Sequence, residues 1–210
     1  MENIAKSIAD YLLQIKAIKL QPSNPFTWAS GWKSPIYCDN RKTLSFPGVR
    51  IAIRDAFAEK VKKQYPEAEV IAGVASGAIA HGVLVADVLD LPFIYVRSGS
   101  KGHGLGNRIE GYFEKGNKVV VIEDLISTGG SSLSAVGALR EAGCEVLGML
   151  AIFTYGFEKA DNNFSENNCR LDTLSNYESL IERAMETGYI DSNDTDTLKL
   201  WRTDPANWGK

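Results

Sequence analysis

Four uninterrupted apolar runs govern what this chain can fold into: Val70-Ile-Ala-Gly-Val74, Phe93-Ile-Tyr-Val96, Val119-Val-Val-Ile122 and Val146 to Phe153. A strand with one wet face alternates apolar and polar residues, so a run that is apolar throughout must be covered on both faces. Helical stretches separate the runs. Ile79 to Leu89 is one, and Leu133 to Ala142 is another, closed by Gly143 as a left-handed cap. This alternation predicts an α/β fold with a central, mostly parallel sheet flanked by helices.

Upstream, Ile4, Ala5, Ile8, Leu12 and Ile15 recur at helical spacing. A second helix is expected from Pro47 to Tyr65, carrying Val49, Ile53, Phe57 and Val61 and ended by Pro66. Between the two helices lies a segment rich in breakers and aromatics, Pro22 to Gly31, followed by Ser34-Pro-Ile-Tyr37. Beyond Asp172 a short strand and two helices are expected, Tyr177 to Glu186 and Asp194 to Arg202. A length of 210 residues suits one domain. It divides into a small N-terminal hood at roughly 1–45, a core at roughly 46–175 and C-terminal helices at 176–210.

Composition excludes several classes. With 26 acidic against 23 basic side chains the net charge is −3, so no global basic footprint exists and nucleic acid is not an expected partner. The three cysteines form no CxxC pair and read as free thiols in a reducing compartment. Two histidines, His81 and His103, are too few for a His-based metal site. The start, Met1-Glu2-Asn3, carries no cationic region followed by an apolar stretch, and no apolar run reaches the ~20 residues of a membrane span. A soluble, cytoplasmic protein with no membrane contact is the expectation.

The chemistry concentrates in Val119-Val-Val-Ile-Glu-Asp-Leu-Ile-Ser-Thr-Gly-Gly-Ser-Ser132. A buried strand delivers Glu123 and Asp124 to its C-terminal edge, where open α/β sheets bind ligands. Gly129 and Gly130 then allow a tight turn into a helix N-terminus, which favours a phosphate. No Gly-Lys-Ser/Thr follows the glycines, so this is not a Walker A loop. A second candidate, Gly99 to Gly111, is a glycine-rich loop bearing Lys101 and His103, with Arg97 just before it. Read alone, without the strand motif, this loop is better taken as a solvated basic turn. His81, inside an apolar helical stretch, reads as structural.

The strand–acid–loop stretch resembles the type I phosphoribosyltransferases. Phe26-Thr-Trp-Ala-Ser-Gly-Trp-Lys-Ser-Pro-Ile-Tyr-Cys-Asp-Asn-Arg41 and Arg97-Ser-Gly-Ser-Lys-Gly-His-Gly104 narrow the resemblance to the orotate phosphoribosyltransferase family. That resemblance implies the type I fold and transfer of a phosphoribosyl group from phosphoribosyl pyrophosphate (PRPP) to orotate in pyrimidine synthesis. The products are orotidine 5′-monophosphate and pyrophosphate. It implies Mg²⁺ held mainly by PRPP, with no direct protein ligand. It also implies a homodimer in which loop 97–110 reaches the neighbouring active site. Carried onto this chain, the catalytic residues are Arg97, Lys101, His103 and Asp124. PRPP binding falls to Arg97, Lys101, His103, Glu123, Asp124, Leu125, Ile126, Ser127, Thr128, Gly129, Gly130 and Ser131. Ser127 is also the candidate orotate contact, and Ala75 to Ala78 takes the place of the pyrophosphate loop. His103 is open between protonating pyrophosphate and a plain hydrogen bond. Ala29, Ser98 and Tyr155 depart from the family pattern at positions where other members carry cations. A purine-base phosphoribosyltransferase and a non-catalytic PRPP sensor are the rival readings.

Overall fold

The computed structural model describes residues 2–28, 31–99 and 108–209. The chain opens with α1 (Glu2–Gln14) and four short strands, β1 (Ile18–Leu20), β2 (Phe26–Thr27), β3 (Lys33–Ser34) and β4 (Ile36–Cys38). β1 pairs with β4 and β2 with β3, both antiparallel, and a 3-10 helix, Asn40–Ser45, leads into α2 (Pro47–Gln64). Pro47 stands at the first position of α2, where a missing N–H costs nothing.

The remainder is β5 (Val70–Val74), α3 (Ile79–Leu89), β6 (Phe93–Val96), β7 (Ile109–Glu110), β8 (Lys118–Ile126), α4 (Gly130–Glu141), β9 (Glu145–Thr154), α5 (Glu158–Glu166), β10 (Leu171–Asn176), α6 (Tyr177–Glu186) and α7 (Ser192–Thr203). The main sheet has the order β10-β9-β8-β5-β6-β7, and every pairing is parallel except β6 with β7. The expected mostly parallel sheet is therefore present.

Alternate side chains of β8 enter two separate cores. Val120 and Ile122 join α1, α2, α3 and α6 on one face, while Val119 and Val121 join α4 and α5 on the other. Both faces are covered, as the unbroken Val/Ile run requires. The apolar face of α1, with Ile8, Ala9 and Leu12, shares the first core with Leu174 of β10 and Tyr177 of α6.

Three details differ from the sequence expectation. β8 continues through the acidic pair to Ile126 instead of ending at Ile122. It can do so because Glu123 folds inward onto neighbouring donors. Ile109–Glu110, expected within a loop, forms a two-residue edge strand on β6. α5 was not anticipated. Its only apolar anchors are Phe157, Ala160 and Phe164, set among Asn, Asp and Glu.

Connectivity fixes where a ligand can enter. From β5 the chain crosses through α3 to β6 on one side; from β8 it crosses through α4 to β9 on the other. α3 lies on one face of the sheet and α4 on the opposite face. The connections thus diverge between β5 and β8, leaving a crevice at their C-terminal ends, the usual binding position in open α/β sheets.

Candidate active site

A pocket of about 320 Å³ occupies that crevice. Its walls are the end of β4 (Cys38, Asp39, Arg41), the turn after β5 (Ala75, Ser76, Gly77), and the end of β8 with the first turn of α4 (Glu123, Asp124, Leu125, Ser131). The Ala75–Ser76 peptide is cis.

Asp124 faces the turn after β5. It forms no salt bridge among the described residues, and a Cβ placed on Gly77 would fall on its carboxylate. Glycine at 77 is therefore required by close approach.

Glu123 behaves differently. It is buried, its Oε1 accepts the Asp124 N–H at 2.8 Å, and its Oε2 accepts the Ser132 hydroxyl at 2.8 Å. Burial first, and the neighbouring Asp124 charge second, raise its pKa far above the ordinary carboxylate range. Glu123 thus ties the end of β8 to α4, while Asp124 carries the accessible charge.

The loop Ser127–Gly129 turns the chain into α4. Gly129 adopts a left-handed φ of +80°, and a Cβ there would sit 2.7 Å from Phe164 Cε2. No side chain caps α4, and its first backbone bond runs from Leu133 N–H to the Gly129 carbonyl. The N–H groups of the turn before Leu133 stay available to an anion, reinforced by the helix dipole. Asn163 of α5 donates to the Thr128 carbonyl at 2.8 Å and braces this loop from behind.

The structure brings only some of the expected residues together. Glu123, Asp124, Leu125 and Ser131 line the pocket, whereas the Ile126 side chain is fully buried beneath it. Thr128 opens instead onto a larger cavity of about 860 Å³ with Trp32, Phe157, Lys159, Tyr177, Lys199 and Arg202, which contains neither acid of the β8 pair. Arg97 lies outside the pocket, at the end of β6, 3.4 Å from Glu110. Lys101 and His103, with most of loop 97–110, lie outside the described residues, as does Ala29. Tyr155 is buried, its ring packed against Trp28, Phe153, Phe157 and Trp201.

Arg41, the last residue of the Phe26–Arg41 stretch, also lines the pocket and pairs with Asp39 at 2.7 Å. This pairing lowers the Asp39 pKa. Cys38 is a wall residue too, and burial pushes its thiol well up, which disfavours the thiolate.

Comparison with known proteins gives this crevice a class. Residues 44–181 match the family model of the phosphoribosyl transferase domain. Along its whole length the chain is 56% identical to the orotate phosphoribosyltransferase of Porphyromonas gingivalis, covering 100% of both chains. It is 57% identical to that of Bacteroides fragilis, over 99% of this chain and 98% of the other. The solved orotate phosphoribosyltransferase of Aeropyrum pernix superimposes with a TM-score of 0.76 at 27% identity, over 88% of this chain and 99% of that one. The chain therefore belongs to the orotate phosphoribosyltransferase family, within the type I phosphoribosyltransferases.

Proposed function

We propose that the crevice between β5 and β8 joins orotate to the phosphoribosyl group of PRPP, giving orotidine 5′-monophosphate and pyrophosphate. The observation that carries this reading is the placement of the Asp124 carboxylate between the uncapped N-terminus of α4 and the turn at Ala75–Gly77. Full-length identity to enzymes of this name supports it.

In this reading the Ser127–Ser131 turn receives the 5′-phosphate, whose charge the α4 dipole and free N–H groups offset. Asp124 accepts hydrogen bonds from the ribose hydroxyls and holds the ring in register. The backbone of Ala75–Gly77 receives pyrophosphate. The C1′–N1 bond to orotate forms as the C1′–O bond breaks; the bonding electrons leave with pyrophosphate, which also takes up the proton that N1 loses, and positive charge builds on the ribose. Arg97, Lys101 and His103 lie on the segment that would neutralise the leaving group and exclude water. Ser127 offers a hydroxyl and an N–H to orotate. Positioning and electrostatics supply the rate, with no covalent intermediate on the protein.

Mg²⁺ fits this donor set. Among the described residues no cluster of three His, Cys, Asp or Glu side chains could hold a metal alone. Mg²⁺ keeps several waters and is held largely by substrate phosphates, which PRPP would supply, with Asp124 on the ribose side. When bound, it would offset the negative charge of the pyrophosphate oxygens.

The proposal includes a homodimer in which loop 97–110 serves the neighbouring site. Cytoplasmic placement is supported by the three free thiols. Among the described residues no helix is long and apolar enough to cross a membrane.

The test is orotate consumption by the purified chain with PRPP and Mg²⁺, beside Lys101→Ala and beside hypoxanthine as the base. Turnover of orotate alone, lowered at least a hundredfold in the variant, is expected for a lost contact to developing charge. Turnover of hypoxanthine, or PRPP binding with no turnover of any base, would overturn the reading. Wild-type rates in the variant would remove Lys101 from the chemistry.

A further inference from the structure

Behind Asp124 lies a connected set of buried polar side chains that the chemistry above does not use. β8 outruns its neighbour, because pairing with β5 stops where Ile122 meets Gly73. Past that point, backbone groups on this edge need partners from elsewhere. Asn40 supplies one. Its Nδ2 donates to the Asp124 carbonyl at 2.6 Å, across 84 positions of sequence, and its side chain is buried. A carbonyl only accepts, which fixes the orientation of the Asn40 amide. Its Oδ1 then accepts the Cys38 thiol at 3.3 Å.

The next link fixes a tautomer. Thr43 Oγ1 donates to the Asn40 backbone carbonyl at 2.6 Å, and this uses its single proton. His81 Nε2 lies 3.1 Å from the same Oγ1, so the hydrogen in that contact belongs to the imidazole. His81 is therefore the Nε2–H tautomer, and its buried Nδ1 has no hydrogen-bond partner among the described residues. Burial keeps the ring neutral, lowering its pKa to about 4. The chain Asp124–Asn40–Thr43–His81 fastens β8, the segment after β4, and α3 to one another. β8 and the segment after β4 line the pocket, and α3 follows directly on the turn at Ala75–Gly77 that forms its third wall.

We propose that Asn40 is a positioning residue for phosphoribosyl transfer. Its amide holds the Asp124 peptide so that the carboxylate stays against Gly77, and Thr43 with the Nε2–H tautomer of His81 holds Asn40. This rests on the reading of Asp124 as a substrate-binding carboxylate. Asn40 touches no substrate itself; its effect passes through Asp124, where a displacement of about 1 Å can cost a hundredfold in rate.

The decisive variant is Asn40→Asp, which keeps shape and volume but turns the donor facing the Asp124 carbonyl into an acceptor. Turnover is measured per folded molecule, with the folded fraction read from urea denaturation. The expected result is a kcat at least about tenfold lower with the orotate KM within threefold of wild type. Thr43→Val and His81→Leu should fall in the same direction by less. His81→Gln, whose amide N–H reaches Thr43 in place of the imidazole N–H, should recover at least half of the His81→Leu loss. Should Asn40→Asp fail to fold, Thr43→Val decides: the same kcat split supports the role, and an unchanged kcat overturns it. Full turnover per folded molecule in Asn40→Asp would also overturn it, leaving the network purely structural. If the wild type itself turns over no orotate, the functional reading falls separately. PRPP affinity by calorimetry, wild type against Asn40→Asp, then decides: at least tenfold weaker binding in the variant supports the positioning of Asp124, and equal affinity overturns it.

Discussion

Replacing Gly77 by alanine should separate activity from stability, and the structure lets both effects be sized. The backbone at Gly77 lies outside the left-handed region, so alanine brings no backbone strain. The three atoms that its Cβ would meet all belong to the Asp124 carboxyl group, the end of a short side chain that can rotate aside. Moving it off a favoured rotamer costs about 0.5–1.5 kcal/mol. Removing glycine flexibility from the unfolded chain returns about 0.4–1 kcal/mol. The urea midpoint should therefore shift by less than the equivalent of about 1 kcal/mol. Activity should not survive as well. A carboxylate displaced from the ribose hydroxyls forfeits a charged hydrogen bond of about 1.5–3 kcal/mol, or roughly 10- to 150-fold in kcat/KM for PRPP. The assay is a double-mutant cycle with Asp124→Ala. If Gly77→Ala acts through Asp124, it costs little in the Asp124→Ala background. Full additivity, activity within threefold of wild type, or a loss above about 3 kcal/mol in stability would each refute the reasoning.

Trp201 is fully buried, with its ring 5.5–5.9 Å from those of Trp28, Tyr155, Phe157 and Tyr177, and its Nε1–H has no acceptor among the described residues. Trp201→Ala should cost about 3–5 kcal/mol by urea denaturation. Trp201→Phe should cost under about 1.5 kcal/mol, because losing the orphan N–H offsets part of the lost contact; equal losses in the two variants would contradict this. Glu123 gives a pH signature. Its folded pKa is raised, from 4.5 to about 8, so its stabilising contribution is complete below pH ~4.5 and is lost as pH rises through about 8. Glu123→Gln should flatten the fall in urea midpoint between pH 5 and pH 8, and parallel pH profiles would show that burial does not hold the proton.

How far sequence reached depended on whether the determining interaction was local. The Val/Ile runs and the 3.6-residue patterns of Val49, Ile53, Phe57 and Val61 are local, and the strands and helices they imply are present. α6 spans Tyr177–Glu186 as expected. α5 escaped because its pattern rests on three apolar positions in a polar stretch, whose packing under Gly129 only the fold reveals. β8 passes Ile122 for a similar reason. A carboxylate rarely extends a buried strand, and Glu123 does so only with Ser132 and the Asp124 N–H as its donors.

The pair Glu123-Asp124 shows the same boundary within the site. From sequence the two acids are equivalent, adjacent on one strand and equally suited to ribose hydroxyls. Strand geometry forbids that equivalence, since successive side chains point to opposite faces of a sheet. One must then turn toward a packed helix, and Ser132 on α4 receives Glu123. The other faces the crevice where β5 has ended, and only a glycine at 77 leaves room for it. On the proposed reading Asp124 meets the ribose while Glu123 also ties β8 to α4, and the period-2 alternation along β8 sets the two apart. Asn40 follows from the same strand end. Once pairing with β5 stops at Gly73, the Asp124 carbonyl needs a donor, and one arrives from a segment 84 residues away. No window along the sequence contains that requirement. It arises from the mismatch in length between two neighbouring strands, and this mismatch also opens the pocket.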